Sequence, residues 1–144
     1  KGLVLRPGKD VTLVATGHLV WEALEAAANL AQEGIDAEVI NIHTIKPLDD
    51  ALILQSVAKT GCIVTAEEHN FLGGLGESVA RVLAQQAPTP MEMVATQDTF
   101  GESGTPAQLM AKYGLDQTAI AEKARKVLLH CLFPFYGPSG QGPV

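Results

Sequence analysis

The stretch that decides the fold runs from Cys62 to Ser78 and reads CIVTAEEHNFLGGLGES. An apolar run that ends in acidic and imidazole side chains, and then turns through glycines into a helix, is typical of a strand–helix unit. Its polar side chains are expected at the carboxyl edge of the strand. Open α/β sheets bind ligands and partners at that edge, so this segment is the best indication of function.

The same alternation recurs along the chain. Strand-like runs cover residues 3–5, 11–16, 37–42, 63–66 and 91–95, and helical periodicity fills the intervals between the last four. Asp49 is suited to cap a helix start, and Gly34 and Gly61 are suited to end helices. Residues 105–114 predict a short helix and residues 116–128 a final one. Alternating strands and helices predict a three-layer α/β/α sandwich with about five strands, joined by parallel crossovers.

The domain is expected to span residues 1–128, with an apolar extension and a flexible tail over residues 129–144. Burying a large apolar side chain is worth about 1.5 to 3 kcal/mol, so exposed apolar residues in the extension would favour aggregation. We therefore expect the segment from Leu129 to Tyr136 to fold back on the sandwich or to pack into a second copy of the chain. The start at Lys1, without Met, is interpreted as a cut inside a longer polypeptide or a trimmed end.

Composition excludes several classes of protein. With 47% hydrophobic residues and a formal net charge of −6, the 144-residue chain is typical of a globular domain that binds neither nucleic acid nor an anionic membrane surface. No apolar run approaches the roughly 20 residues that span a bilayer, which favours a cytoplasmic location. Two cysteines, Cys62 and Cys131, are too few for a disulfide framework, and Cys62 is interpreted as a small buried hydrophobe.

Three histidines, His18, His43 and His69, each follow a predicted strand. Because parallel strands end at one edge, the imidazoles could converge on a ligand crevice, an interface or, least favoured, a zinc ion. No local His pair with metal-ligand spacing supports zinc. An imidazole changes charge near neutral pH, so a histidine-lined interface would associate in a pH-sensitive way.

The glycines after His69 allow two interpretations. A glycine-rich helix start can hold a phosphate on free backbone N–H groups. However, Val79 stands where a dinucleotide fingerprint has its last glycine, and Glu77 adds negative charge to the first turn. Close packing of the helix start is therefore favoured. The adjacent Glu67 and Glu68 point to opposite faces of a strand and cannot form a facing acid–base pair.

Four segments together resemble the C-terminal domain of the transketolase family. They are residues 10–17 (DVTLVATG), 41–49 (NIHTIKPLD), 67–76 (EEHNFLGGLG) and 100–104 (FGESG), in the family's order and spacing. The resemblance covers about residues 2–128. Similar domains occur in 1-deoxyxylulose-5-phosphate synthase and in the beta subunits of 2-oxo acid dehydrogenases, but the second and fourth segments look most like transketolase. The aromatic end of the chain is unlike the family.

The resemblance implies a mostly parallel sheet whose first strand is antiparallel. It also implies a dimeric transferase of the pentose phosphate type, which moves a two-carbon ketol unit between sugar phosphates with thiamine diphosphate and a divalent metal (Mg) bound by other domains. The family's diphosphate–metal motif is absent from this sequence. The chain alone is therefore expected to hold no cofactor, no metal and no catalytic residue, whether it is an excised domain or the small subunit of a split enzyme.

The resemblance further implies that this domain supports dimerisation and packs against upstream thiamine-diphosphate domains. Carried over residue by residue, it indicates interface or edge residues at His43, Lys46, Glu68, His69, Gly73, Gly74, Gly76 and Phe100, to which His18 is added by its strand-end position. Two rivals stay open: a free-standing α/β module that binds a ligand or regulator, and a pure oligomerisation domain. Sugar-phosphate specificity and any regulatory ligand are not encoded in these residues.

Overall fold

A computed structural model describes residues 1–45, 47–68, 74–96 and 106–133. Five strands and four helices lie in these residues. The strands are β1 (Gly2–Arg6), β2 (Val11–Ala15), β3 (Ala37–Ile42), β4 (Ile63–Glu68) and β5 (Met91–Thr96). The helices are α1 (Leu19–Gln32), α2 (Asp50–Thr60), α3 (Leu75–Gln86) and α4 (Pro106–Leu132).

The five strands form one sheet in the order β1-β3-β2-β4-β5. The pairs β2–β3, β2–β4 and β4–β5 are parallel, and β1 pairs with β3 in the antiparallel sense. The predicted α/β class, the strand number and the antiparallel first strand are therefore confirmed.

Two apolar cores lie on opposite faces of the sheet. One core joins the sheet to α1 and α4, and the other joins it to α2 and α3. Side chains alternate between the faces along each strand, so Val64 and Ala66 of β4 face the first core while Ile63 faces the second. Every residue of β2 is buried, as expected for a central strand with helices on both sides.

Local capping follows the sequence signals. The Asp49 carboxylate accepts a hydrogen bond from the backbone N–H of Leu52 at 3.3 Å and so caps α2. Gly61 ends α2 with φ at 81°, a left-handed conformation that only glycine adopts without cost. Its N–H donates to the Val57 carbonyl at 2.8 Å, which satisfies one of the last free carbonyls of the helix.

Helix α4 differs from the prediction of a short helix, a break near Gly114 and a final helix. It is continuous from Pro106 to Leu132. A helical glycine costs only about 1 kcal/mol, and the apolar stripe through Ile120, Ala124 and Val127 packs the helix against the first core. The stripe outweighs the local helix-breaking signal.

The helix also passes the predicted domain limit at residue 128. Beyond it, Leu129, Leu132 and Phe133 are 59%, 68% and 50% exposed, so these three side chains do not fold back on the sandwich. Packing of this segment into a second copy stays a prediction. Residues 134–144, with Phe135 and Tyr136, lie outside the described residues.

A buried carboxylate joins β3 to α2. Glu38 is 3% exposed and accepts hydrogen bonds from the Ser56 hydroxyl at 2.7 Å, the Gly8 N–H at 3.1 Å and the Lys59 ammonium. Burial opposes ionisation, but these three donors together hold the pKa of Glu38 below its usual value. Because every donor belongs to the chain itself, this network has a structural role.

Candidate functional site at the carboxyl edge of the sheet

The carboxyl edge of the sheet has a topological switch point between β2 and β4. Helix α1 leaves β2 on one face and leads to β3, whereas α3 leaves β4 on the other face and leads to β5. The connections of these two adjacent strands therefore diverge to opposite faces of the sheet. This is the position at which open α/β sheets bind ligands or partners.

His18 and Glu68 meet at this switch point. Gly17, with φ at 57°, turns the chain from β2 into α1 and places His18 at the helix start. Nδ1 of His18 lies 2.9 Å from Oε1 of Glu68, and the two side chains are only 19% and 13% exposed. The predicted edge residues His18 and Glu68 are thus brought together, at ion-pair distance, across the β2–β4 boundary.

The neighbouring Glu67 points to the other face, as its alternation with Glu68 predicts. Its carboxylate is 2% exposed and accepts hydrogen bonds from the backbone N–H groups of Leu75 at 3.2 Å and Gly76 at 2.9 Å. A carboxylate at this place is stabilised by the positive end of the helix dipole. Glu67 therefore occupies the donors at the start of α3 that a phosphate would need.

Gly76 is buried beside this carboxylate. A Cβ atom at Gly76 would lie 2.9 Å from Sδ of Met93 and 3.0 Å from Oε2 of Glu67. The absence of a side chain thus lets the helix start approach β4 and β5 closely. Gly74 is the N-cap residue of α3 and makes no side-chain cap.

His43 has a local contact at the end of β3. It follows β3, is exposed, and its Nε2 lies 3.3 Å from the amide nitrogen of Asn41. The structure therefore gives His43 a partner in the strand that precedes it. The remaining predicted residues, Lys46, His69, Gly73 and Phe100, lie outside the described residues.

A buried carboxyl group lies one helical turn beyond His18. Glu22 is 4% exposed, and burial, followed by the charges of Asp116 and Glu25, raises its pKa to about 7. Asp116 of α4 is itself buried. The first turns of α1 therefore carry a group that changes charge near neutral pH on the side that faces α4.

Trp21 adds an exposed aromatic surface to the same helix start. It is 66% exposed and lies in the first turn of α1, directly after the N-cap residue His18 and the two residues that follow it. Large aromatic side chains are frequent energetic centres of protein interfaces. Neither Trp21 nor Glu22 was predicted from the sequence, because the exposure of Trp21 and the proximity of Glu22 to Asp116 depend on how α1 packs in the fold.

The described residues contain neither a metal-ligand group nor a membrane-spanning helix. Within residues 1–45, 47–68, 74–96 and 106–133, no three His, Cys, Asp or Glu side chains are grouped as ligands for a metal ion. No helix in these ranges is both long enough and apolar enough to cross a membrane.

A five-stranded sheet with helices on both faces defines the class of open α/β domains. The family model for the transketolase C-terminal domain matches residues 1–120. The chain belongs to this family. Its features at residues 17–18, 67–68 and 74–76 are therefore features of a transketolase C-terminal domain.

Individual relatives refine the comparison. The chain is 46% identical over 127 residues to the 6-deoxy-6-sulfo-D-fructose transketolase subunit SqwH of Clostridium sp. (strain MSTE9), covering 88% of this chain and 39% of that protein. It is 44% identical over 122 residues to 1-deoxy-D-xylulose-5-phosphate synthase 1 of Geobacter sulfurreducens (strain ATCC 51573 / DSM 12127 / PCA), covering 83% of this chain and 19% of that protein.

A solved structure is also similar to most of this chain, over less than half of its own length. It is described as a split gene transketolase, inactive beta4 tetramer, with a TM-score of 0.79 and 46% sequence identity over 91% of this chain and 43% of that chain. The chain thus spans less than half the length of each of these three proteins.

Proposed function

We propose that this chain is the C-terminal domain of a transketolase that transfers a two-carbon ketol unit between sugar phosphates. The observation that carries the proposal is the similarity to the split gene transketolase over 91% of the chain. A transketolase-type subunit is also among the most similar curated relatives. Thiamine diphosphate and a divalent metal would be bound by the complementary domains or subunit and not by this chain.

The role proposed for the domain is docking and support of the dimer, without catalysis of its own. The carboxyl edge suits a preformed docking surface because its charged groups already have partners within the domain. Glu67 is held by the start of α3, and Glu68 lies against His18. Exposed Trp21 and His43 flank this edge and would supply contacts to the partner. A homo-oligomeric assembly and a cytoplasmic location stay predictions.

Reconstitution tests the proposal. The chain is mixed with the complementary thiamine-diphosphate-binding domains, and ketol transfer from a ketose phosphate is measured for the mixture and for each part. We expect activity from the mixture and none from the chain alone. Ketol transfer by the purified chain would contradict the non-catalytic role, and an inactive mixture that nevertheless forms a stable complex would contradict the transketolase assignment.

A separate set of assays identifies the donor substrate. Two relatives name different chemistry, so the reconstituted enzyme is also assayed with 6-deoxy-6-sulfo-D-fructose as donor and for formation of 1-deoxy-D-xylulose 5-phosphate. Preference for the sulfosugar would assign the enzyme to the class of the first relative. Formation of deoxyxylulose phosphate would replace the transketolase assignment with that of the synthase.

A matched pair of variants tests the docking surface. Trp21 at the carboxyl edge and Leu132 at the far end of α4 are 66% and 68% exposed. Trp21→Ala is expected to weaken association with the complementary domains by at least about tenfold, as loss of an aromatic interface centre does. Leu132→Ala should leave that affinity unchanged. The opposite ranking would move the docking surface away from the carboxyl edge.

The rival role, a free-standing module for phosphate-bearing ligands, is distinguished by calorimetry. The N–H groups of Leu75 and Gly76 are taken by Glu67, so the helix start offers these donors to no ligand. Inorganic phosphate and thiamine diphosphate should bind the isolated chain no better than millimolar. Micromolar binding of either would favour the ligand-binding module.

A further inference from the structure

The two cysteines lie together at the edge of the sheet opposite the carboxyl edge. Cys62 immediately precedes β4 and is fully buried, and Cys131 lies in the last turn of α4 and is half-buried. Both belong to the core formed by α1, α4 and the sheet. Nearly half of the sequence separates the two residues, so the fold rather than local sequence brings them together.

Gly61 fixes the position of the Cys131 sulfur. Sγ of Cys131 donates to the Gly61 carbonyl at 3.5 Å, and a Cβ atom at Gly61 would lie 3.3 Å from this sulfur. Because Gly61 directly precedes Cys62, the Cys131 thiol lies over the peptide that leads into Cys62. A side chain larger than that of glycine at position 61 would displace the sulfur.

The side chain of Cys62 is oriented by the backbone of Asp10. The Cys62 thiol donates a hydrogen bond to the Asp10 carbonyl at 3.3 Å. Burial, followed by the neighbouring Cys131 thiol, raises the pKa of Cys62 to about 12. Cys62 therefore stays a neutral thiol at physiological pH, while Cys131 is the cysteine that a reagent reaches first.

We propose that Cys62 and Cys131 form a thiol–disulfide site that reacts with a low-molecular-weight disulfide such as oxidised glutathione. The Cys131 thiolate attacks one sulfur of the reagent, its S–S bond breaks, and one glutathione leaves as the thiol with the proton from Cys131. The Cys62 thiol then attacks Cys131 Sγ and loses its proton, which the second glutathione takes up as it leaves as a thiol. Two protein thiols are oxidised to one disulfide and one reagent disulfide is reduced to two thiols.

The bond would join two elements that are distant in sequence. It would tie the end of α4 to the peptide between α2 and β4, and so close a long loop that includes α3 and β5. Closing a long loop restricts the unfolded chain, so oxidation should raise the melting temperature by roughly 5 to 10 °C. The site lies away from His18 and Glu68, so it neither requires nor tests the proposed docking function.

The experiment uses the intact protein that carries this chain, under native conditions. It is incubated in glutathione buffers of graded oxidation, remaining thiols are blocked, and peptides are mapped by mass spectrometry without reduction. We expect a crosslinked peptide pair that contains Cys62 and Cys131, fully reversible with dithiothreitol, together with the rise in melting temperature.

Variants separate the two steps. Cys131→Ser should abolish reaction of Cys62 with glutathione, because the buried thiol is then not reached. Cys62→Ala should leave a stable glutathione adduct on Cys131, because no second thiol displaces it. The proposal is overturned if the wild-type protein accumulates the Cys131 adduct without the crosslink, if the bond forms only between two copies, or if both thiols stay reduced while iodoacetamide alkylates Cys131.

Discussion

The imidazole of His18 and the carboxylate of Glu68 join the first turn of α1 to the end of β4, with Nδ1 and Oε1 2.9 Å apart. The contact spans the boundary at which the sheet connections diverge to opposite faces. His18 has no side-chain hydrogen bond to its own helix start, so its orientation depends on tertiary contacts such as this one. The pair therefore positions the edge through which the domain is proposed to dock.

A double-mutant cycle measures this coupling. His18→Ala and Glu68→Gln are each expected to lower the free energy of unfolding by about 0.5 to 2 kcal/mol, and the double variant should lose less than the sum by about 0.5 to 1 kcal/mol. Urea unfolding at pH 6 supplies the four values. Strict additivity of the two losses would show that the contact contributes nothing to stability.

Substitutions of Glu67 test how much its carboxylate stabilises the start of α3. Glu67→Ala removes the acceptor of two buried N–H groups and leaves a cavity, so a loss of about 2 to 4 kcal/mol is expected. Glu67→Gln keeps one acceptor oxygen and should lose about 1 to 2 kcal/mol. Glu77→Gln is the matched control, because Glu77 is exposed in the first turn of the same helix and makes the same change in charge.

Denaturant unfolding followed by circular dichroism ranks these three variants. The control should stay within about 0.5 kcal/mol of the wild type, as exposed substitutions usually do. If Glu67→Gln were as mild as Glu77→Gln, the hydrogen bonds to Leu75 and Gly76 would have no stabilising role.

The alternation of strands and helices, and the face to which each residue of β4 points, followed from local patterns, whereas the strand order and several contacts did not. Periodicity along β4 already placed Glu67 and Glu68 on opposite faces, because that property depends on one strand only. The contact between His18 and Glu68 requires β2 and β4 to be neighbours, and the sequence places β3 between them. Pairing of Cys62 with Cys131 likewise depends on how α4 returns along the sheet.

The continuous helix α4 was not predicted, because local sequence signals indicated a break that the structure does not have. The sequence predicted one helix that ends at residue 114 and another that begins at residue 116, yet the helix continues through both positions to Leu132. The continuous helix is stabilised by burial of Ile120 and Val127 against α1 and β5. These contacts are between distant parts of the chain and are not visible in the local sequence. Tertiary packing outweighs helix propensity in such cases.

Replacing Gly8 or Gly34 with alanine should lower the free energy of unfolding by different amounts. A Cβ atom at Gly8 would lie 2.3 Å from the carbonyl carbon of Ala37 and 2.6 Å from the Glu38 nitrogen, and backbone atoms in a sheet cannot move aside. Gly34 has φ at 82° but open space around it. Gly8→Ala should therefore cost about 3 kcal/mol or more, and Gly34→Ala about 1 to 2 kcal/mol from strain alone.

Thermal and urea unfolding of the two alanine variants checks this difference. Gly8→Ala should also weaken the Glu38 network, because the Gly8 N–H is one of its donors. Equal losses for the two variants would mean that the turn before β2 shifts freely, and that the close approach to Ala37 is not a constraint.

Glu22 makes stability depend on pH in a direction set by its buried position. Its pKa is raised from 4.5 to about 7, first by burial and then by Asp116 and Glu25. Between these two pH values the folded chain holds a proton that the unfolded chain releases. The contribution of Glu22 to stability is therefore fully present below pH 4.5 and is lost as the pH rises through 7, by up to about 3 kcal/mol.

Replacing Glu22 with glutamine isolates this contribution, because glutamine keeps the shape and cannot ionise. Relative to the wild type, Glu22→Gln should gain stability steadily from pH 5 to pH 8, by about 2 to 3 kcal/mol in total. Glu122→Gln, at an exposed position on α4, should follow the wild-type pH profile. Urea unfolding at half-unit pH intervals gives the three curves. If the difference between Glu22→Gln and the wild type is the same at pH 5 and pH 8, Glu22 is already charged in the folded chain at pH 5, and the pair of carboxyl groups on α1 and α4 does not repel.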